Sequence, residues 1–173
     1  MFKRGVSPVV ATVLLLGLTV AMGSIIFAFV IPFVQEQLGN SKACLKVMDG
    51  VEFADSKFNC YVSTASGFET GFSFKVKKAE VMGVKISLID ENGNSDVKDF
   101  PDSVVSTTFR NIGGAYSSSP SVTADFPTSG GQRTYVTNKK YVKAEIAPMT
   151  ESGDVCAVSD VVEFSYCSED VGF

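Results

Sequence analysis

Chemistry in this 173-residue chain has few side chains to work with. There is no histidine, so a serine or cysteine nucleophile has no imidazole base beside it. No P-loop, dinucleotide fingerprint or nucleophile elbow occurs in the sequence. The residue types that remain informative are four cysteines, Cys44, Cys60, Cys156 and Cys167. None forms a CxxC pair, and without histidine a zinc site has little support, so no metal is expected. Two disulfides are expected instead. Four cysteines allow three pairings. Local closure favours Cys44–Cys60 with Cys156–Cys167, although the sequence alone does not choose.

One acidic stretch, Asp90-Glu91-Asn92-Gly93-Asn94-Ser95-Asp96, spaces oxygen ligands as a calcium loop does. An EF-hand loop needs glycine at its sixth position and glutamate at its twelfth; here those places hold Ser95 and Pro101. Asn-Gly between alternating segments is first a hairpin turn, and a turn is what we expect. The five tyrosines read as ordinary strand and surface aromatics, with adhesion or stacking as the sharper alternative. Ser117-Ser118-Ser119 offers an O-linked sugar acceptor, and no Asn-x-Ser/Thr sequon is present. An enzyme is not expected, and no cofactor is called for.

The elements that carry these residues fall into two regions of opposite character. From Val9 to Val34 no residue is charged. Those 26 residues would form a helix about 39 Å long, against roughly 30 Å of bilayer hydrocarbon. A secretory signal has an apolar stretch of only about 7–15 residues, and a soluble amphipathic helix would show a polar face. The segment is therefore expected to meet lipid. Lys3 and Arg4 flank its N-terminal side and place that end in the cytoplasm, with the bulk of the chain outside. An oxidising exterior suits the disulfides. Residues 41–173 hold 13 Lys/Arg against 18 Asp/Glu, a net charge of −5, so nucleic acid is not an expected partner.

Within the apolar region Ser7 suits a helix N-cap and Pro8 a first helical position. The helix is expected from about Pro8 to about Leu38, with Gly39-Asn40 as its stop and a kink at Pro32. Gly17, Ala21, Ser24 and Ala28 share one face and would let helices approach closely in lipid. Thr12 and Thr19 are expected to bond their own backbone. Strands are expected at Ala43–Val47, Asn59–Ser63, Gly71–Val76, Val84–Asp90, Val104–Phe109, Tyr141–Ala147 and Val161–Tyr166, with loops at Gly113–Ser121 and Pro127–Gln132. The fold class is α+β: a long apolar helix followed by an antiparallel β-sandwich head of immunoglobulin type.

The start, Met1-Phe2-Lys3-Arg4-Gly5-Val6-Ser7-Pro8-Val9-Val10-Ala11-Thr12, sets a short basic leader and a glycine directly before the apolar run. That order resembles the class III signal peptide of type IV pilins, in the form of the archaeal branch. The resemblance covers roughly residues 1 to 40. It implies cleavage between Gly5 and Val6 by a prepilin peptidase, leaving residues 1–5 as leader, 6–40 as membrane and filament-core helix, and 41–173 as an extracellular head. Removing Lys3 and Arg4 frees the anchor to leave lipid for a bundle of identical helices. The implied partners are further copies of the chain, a pilus assembly ATPase, a membrane platform protein and, before assembly, lipid. Many bacterial relatives carry glutamate at the fifth mature position; here Val10 stands there, so subunit register must come from shape and apolar packing. The rival expectation is a single-pass anchored surface binding domain that never polymerises.

Overall fold

A computed structural model describes residues 8–55, 57–103, 105–117, 123–168 and 171–173. Contacts divide the chain into a unit that ends at Lys42 and a second unit, Ala43–Phe173. The first is helical and the second is built almost wholly of strands, so the class is α+β.

Helix α1 spans Pro8–Ile25. Thr12, Thr19 and Ser24 donate their hydroxyls to the carbonyls of Val9, Leu16 and Ala21 at 2.9, 2.9 and 2.8 Å. Each polar side chain is thus satisfied within its own turn. A π-helical turn, Ile26–Val30, follows, and then α2, Ile31–Val47. The wide turn lies directly before Pro32, whose ring would crowd the carbonyl of Ala28 and which offers no N–H of its own. A turn with i→i+5 spacing accommodates that misfit locally. Ile25 and Ile31 on either side keep helical dihedrals, so the chain stays helical through the proline.

The helix does not stop at Gly39-Asn40 as expected; it continues to Val47. A Cβ at Gly39 would meet nothing within 4 Å, so that glycine serves no turn. The real stop is nine residues on. Val47 is buried, Asp49 adopts the left-handed conformation at φ 55°, and the Gly50 amide returns to the Val47 carbonyl at 2.8 Å. A Cβ at Gly50 would fall 2.6 Å from both that carbonyl oxygen and Val81 Cγ2. Lys78 donates its amine to the carbonyls of Lys46 and Met48, two of the acceptors a helix end leaves open. Ala43–Val47, expected as a strand, is therefore the last helical turn. Its alternating apolar residues serve burial of Val47 rather than a pleat.

Among the described residues the head has ten strands: β1 (Val51–Phe53), β2 (Cys60–Thr64), β3 (Gly67–Val76), β4 (Gly83–Ile89), β5 (Ser95–Phe100), β6 (Phe109–Asn111), β7 (Gln132–Thr137), β8 (Lys143–Met149), β9 (Asp160–Glu163) and β10 (Ser165–Tyr166). One sheet runs β10-β2-β3-β7-β6, with β1 also paired to β3; the other runs β5-β4-β8-β9. Among the described residues these strands pair antiparallel except β10 with β2. The ten-residue β3 carries two neighbours along one side, β2 opposite Gly67–Gly71 and β1 opposite Phe74–Val76.

Alternation explains the layers. On β4, Val84, Ile86 and Leu88 are fully buried while Lys85, Ser87 and Ile89 are half-buried. They meet Phe72 and Phe74 from β3, Ala144 and Ile146 from β8, and Phe100 from the end of β5. Tyr135 sits among the core aromatics, its ring 4.7 Å from Phe100, 5.4 Å from Phe74, 5.5 Å from Phe72 and 5.6 Å from Phe109. Its hydroxyl donates to the Asp125 carbonyl, so the polar tip is satisfied and burial pushes its ionisation far up. The free edge of β1 is closed by side chains: Ser159 Oγ donates to the Val51 carbonyl at 2.8 Å, and the Phe53 amide donates to Asp160 Oδ2 at 2.8 Å.

The segment expected as a strand at Val104–Phe109 forms none before Phe109; Val104 lies outside the described residues, and Val105 is a buried apolar plug. Three strands escaped expectation: β1, β5 and β7.

Candidate functional site: an exposed apolar helix

Pro8–Gln35 contains no Asp, Glu, Lys or Arg and is 28 residues long, about 42 Å as a helix. It is long and apolar enough to cross a bilayer. None of its side chains is buried: exposure of its large apolar residues runs from 41% at Ile31 to 71% at Val20 and Phe29. A surface this large and this uniformly greasy is not left in water by soluble monomers, where the largest apolar patch is about 300–600 Å². The same residues that give the helix its propensity, Leu14, Leu15, Leu16, Leu18 and Met22, are the ones that demand lipid or protein around it.

The small-residue positions are open. Gly17, Ala21, Ser24 and Ala28 are all exposed, and a Cβ built on Gly17 or Gly23 would meet nothing. Ser24 spends its proton on Ala21, so it offers a partner only acceptor lone pairs. The processing residues Gly5 and Val6, the charges Lys3 and Arg4, and the cap Ser7 lie outside the described residues. Pro8, the expected first helical residue, is the first residue of α1.

In the head both disulfides form, but the pairing is Cys44–Cys156 and Cys60–Cys167, with Cα separations of 5.5 and 5.1 Å. Local closure is overturned. Once α2 extends to Val47, Cys44 lies on a helical turn whose end is buried in the head, and the register of β8 and its following loop brings Cys156 to it. The parallel pairing of β10 with β2 sets Ser165 beside Cys60 and so delivers Cys167. The bridges span 112 and 107 residues. On the chain-entropy account each contributes roughly 4–5 kcal/mol.

No protein family, curated protein or solved structure matches the chain.

The charged side chains of the head are braces. Glu52 takes both Lys75 and Lys77, and those hydrogen-bonded amines, Lys75 first, hold its carboxyl below the usual range. Asp96 accepts from the Tyr141 hydroxyl and from Lys139 at 3.1 Å, which lowers its pKa in that order of effect. Asp90 closes the β4–β5 hairpin: its carboxylate accepts the amides of Asn92 and Asn94 at 2.9 Å and the Asn94 side chain at 3.1 Å. Gly93 takes φ 82°, and its amide returns to the Asp90 carbonyl at 3.0 Å. That is the expected Asn-Gly turn, with the oxygens a cation would use already engaged. The same design recurs at Thr150–Asp154, where Gly153 takes φ 83° and its amide bonds the Thr150 carbonyl at 2.9 Å. Among the described residues no group of three metal-ligating side chains assembles.

The sequence reading missed the true helix stop, Asp49-Gly50 with Lys78. Asp-Gly after an apolar residue is a recognised stop signal, and Gly39-Asn40 was an equally good one met first.

Proposed function

We propose that this chain is the structural subunit of a type IV pilus-like surface filament, held in the membrane as a precursor, cleaved after Gly5 and polymerised through its N-terminal helix. One observation carries the reading: the helix Pro8–Gln35 presents apolar side chains on every face, in a chain whose remainder is a disulfide-closed head. A helix made only to anchor needs lipid alone. A helix that also carries an open small-residue face, in a chain whose leader resembles that of type IV pilins, suits exchange of lipid for copies of itself.

Because the starting environment is lipid, little hydrophobic free energy is released on assembly, and packing must supply the gain. Polymerisation then depends on an assembly ATPase and a platform protein to extract subunits. The prepilin peptidase removes Lys3 and Arg4 with the leader, and the filament stands outside the cell.

The test is the intact mass of the protein from membranes and from purified surface fibres, read with electron microscopy of those fibres. Fibres whose subunit starts at Val6 are expected. Gly5→Val is expected to leave full-length protein in the membrane and no fibres; normal fibres from that variant overturn the processing step. Uncut, dispersed monomers would replace the subunit by an anchored surface domain.

A further inference from the structure

At the Gly67 end of β3, away from the end that pairs with β1, the inner face of the β10-β2-β3 sheet continues past the core and lies open. Phe68 and Val76 stand eight residues apart on β3, about 26 Å, and Val76 is the residue paired with Val51, where the chain enters the head. Three rings occupy that open face. Tyr166 is paired with Tyr61 across β10 and β2, and Phe68 is paired with Ser63 across β3 and β2, which sets all four side chains on one side of the sheet. Tyr61 packs edge-on to Tyr166 at 5.9 Å and to Phe68 at 6.3 Å between ring centres. Tyr166 is 58% exposed and Phe68 40% exposed.

Polar groups stand around the rings. Lys140, from the turn between β7 and β8, holds its amine 5.2 Å from the Tyr61 centroid and 5.4 Å from that of Phe68. Glu91, from the β4–β5 hairpin, pairs with that amine at 2.7 Å and is itself largely exposed. The ledge therefore joins aromatic faces, a hydroxyl at Ser63, two phenols, one amine and one carboxylate.

We propose that this ledge binds a neutral oligosaccharide. A hexose has one face of C–H groups and an edge of hydroxyls. The C–H face meets the negative face of an aromatic ring, and the hydroxyls find both donors and acceptors in Lys140, Glu91 and Ser63. The other classes of ligand fit less well. A cationic ligand is repelled by the Lys140 amine, which stands over two of the three rings, Tyr61 and Phe68. A polyanion meets a head of net charge −5. A stable protein partner buries about 800 Å² on each side, more than three rings and their rim supply.

The full chain, solubilised in lauryldimethylamine oxide so that no detergent sugar competes, is titrated with cellotriose, chitotriose and mannotriose and followed by saturation-transfer NMR. Transfer to the C–H protons of at least one trisaccharide is expected, with affinity about tenfold weaker in Tyr166→Ala and in Phe68→Ala. Lys140→Met, which keeps the stem, is expected to weaken binding about threefold. Met82→Ala, an exposed residue at the opposite end of the head, leaves it unchanged. Circular dichroism matching the parent secures the fold of each variant; Tyr166 and Phe68 are exposed enough that none of the core is removed. No transfer to any of the three sugars, or equal binding by Tyr166→Ala, overturns the proposal. Self-association that Tyr166→Ala abolishes, without sugar binding, overturns it in favour of a contact between copies. Sugar binding by dispersed monomers that never form fibres sustains the ledge and sinks the filament subunit, so the two readings fail separately.

Discussion

The helix and the head solve opposite problems. In the head, apolar side chains find each other: Tyr135 lies at the middle of four phenylalanines, and Val84, Ile86 and Leu88 are fully shut from solvent. In the helix, comparable side chains find nothing. The head is a finished object, fastened by two long-range disulfides and braced by ion pairs such as those of Glu52 with Lys75 and Lys77. The helix is unfinished by design of its sequence, because no arrangement of 28 consecutive residues without a charge can bury its own circumference. On the proposed function, stability and assembly are assigned to separate stretches of chain, and substitutions should divide the same way.

The largest effect should come from enlarging the helix's small face. Ala21→Leu is expected to abolish fibres on electron micrographs while the thermal midpoint of the head stays within a degree or so of the parent, since Ala21 is exposed and outside the head's core. A lowered midpoint in that variant would break the separation. Next comes the Cys44→Ser, Cys156→Ser pair. Opening a 112-residue loop should cost the head roughly 4 kcal/mol by denaturant titration, with the membrane-bound fraction unchanged. Gly50→Ala should cost about 1–3 kcal/mol by the same measurement, because its Cβ meets a backbone oxygen and Val81 at 2.6 Å and neither can retreat cheaply. By contrast Gly39→Ala, in the open part of the helix, should be neutral or slightly stabilising.

The smallest effect is on pH dependence. Asp96, Asp90 and Glu52 all have carboxyl pKa values lowered in the folded head, chiefly by Tyr141, by Asn94 and by Lys75 respectively. A lowered folded pKa gives stability that is present above the unfolded value of about 4 and is lost as pH falls through the folded value. Thermal unfolding is therefore expected to drop between pH 5 and pH 2, and Asp96→Asn should flatten that slope. At the alkaline end Tyr116, pushed up to about 12 by burial and then by the Glu69 carboxylate that accepts its proton at 2.9 Å, works the other way. Its contribution is present below about pH 10 and lost as pH rises toward 12.

The sequence made the helix legible and the head only coarsely so, for a physical reason. Composition alone specifies an apolar segment, since lipid reads an average; a pleated sheet depends on partners far along the chain. Val84–Asp90 could be seen because its alternation is strict and one-sided. The β5 strand, Ser-Asp-Val-Lys-Asp-Phe, hid because it is an edge with charges on its open side, and only Phe100 at its end is fully buried. The β7 strand hid behind two glycines and a threonine-rich stretch, although its Tyr135 is central to the core. Helix termination failed differently: the two stop signals, Gly39-Asn40 and Asp49-Gly50, lie ten residues apart, and the burial of Val47 decides between them, which no local window contains. The disulfide pairing failed for the same cause, as proximity in sequence says nothing about the register that brings β10 beside β2. The aromatic ledge was visible only as separate tyrosines and a phenylalanine, since three strands must assemble before the rings share a face.

The two bridges have a consequence for manufacture. On the proposed export of the head, Cys44 and Cys60 would leave the translocation channel first, sixteen positions apart, and their true mates would follow only after another hundred or so residues. During that interval the nearest available thiol for each is the wrong one. On that export, a cell producing this protein would either delay oxidation until synthesis is nearly done or supply an isomerase outside the membrane, and a host lacking both would fill with scrambled heads.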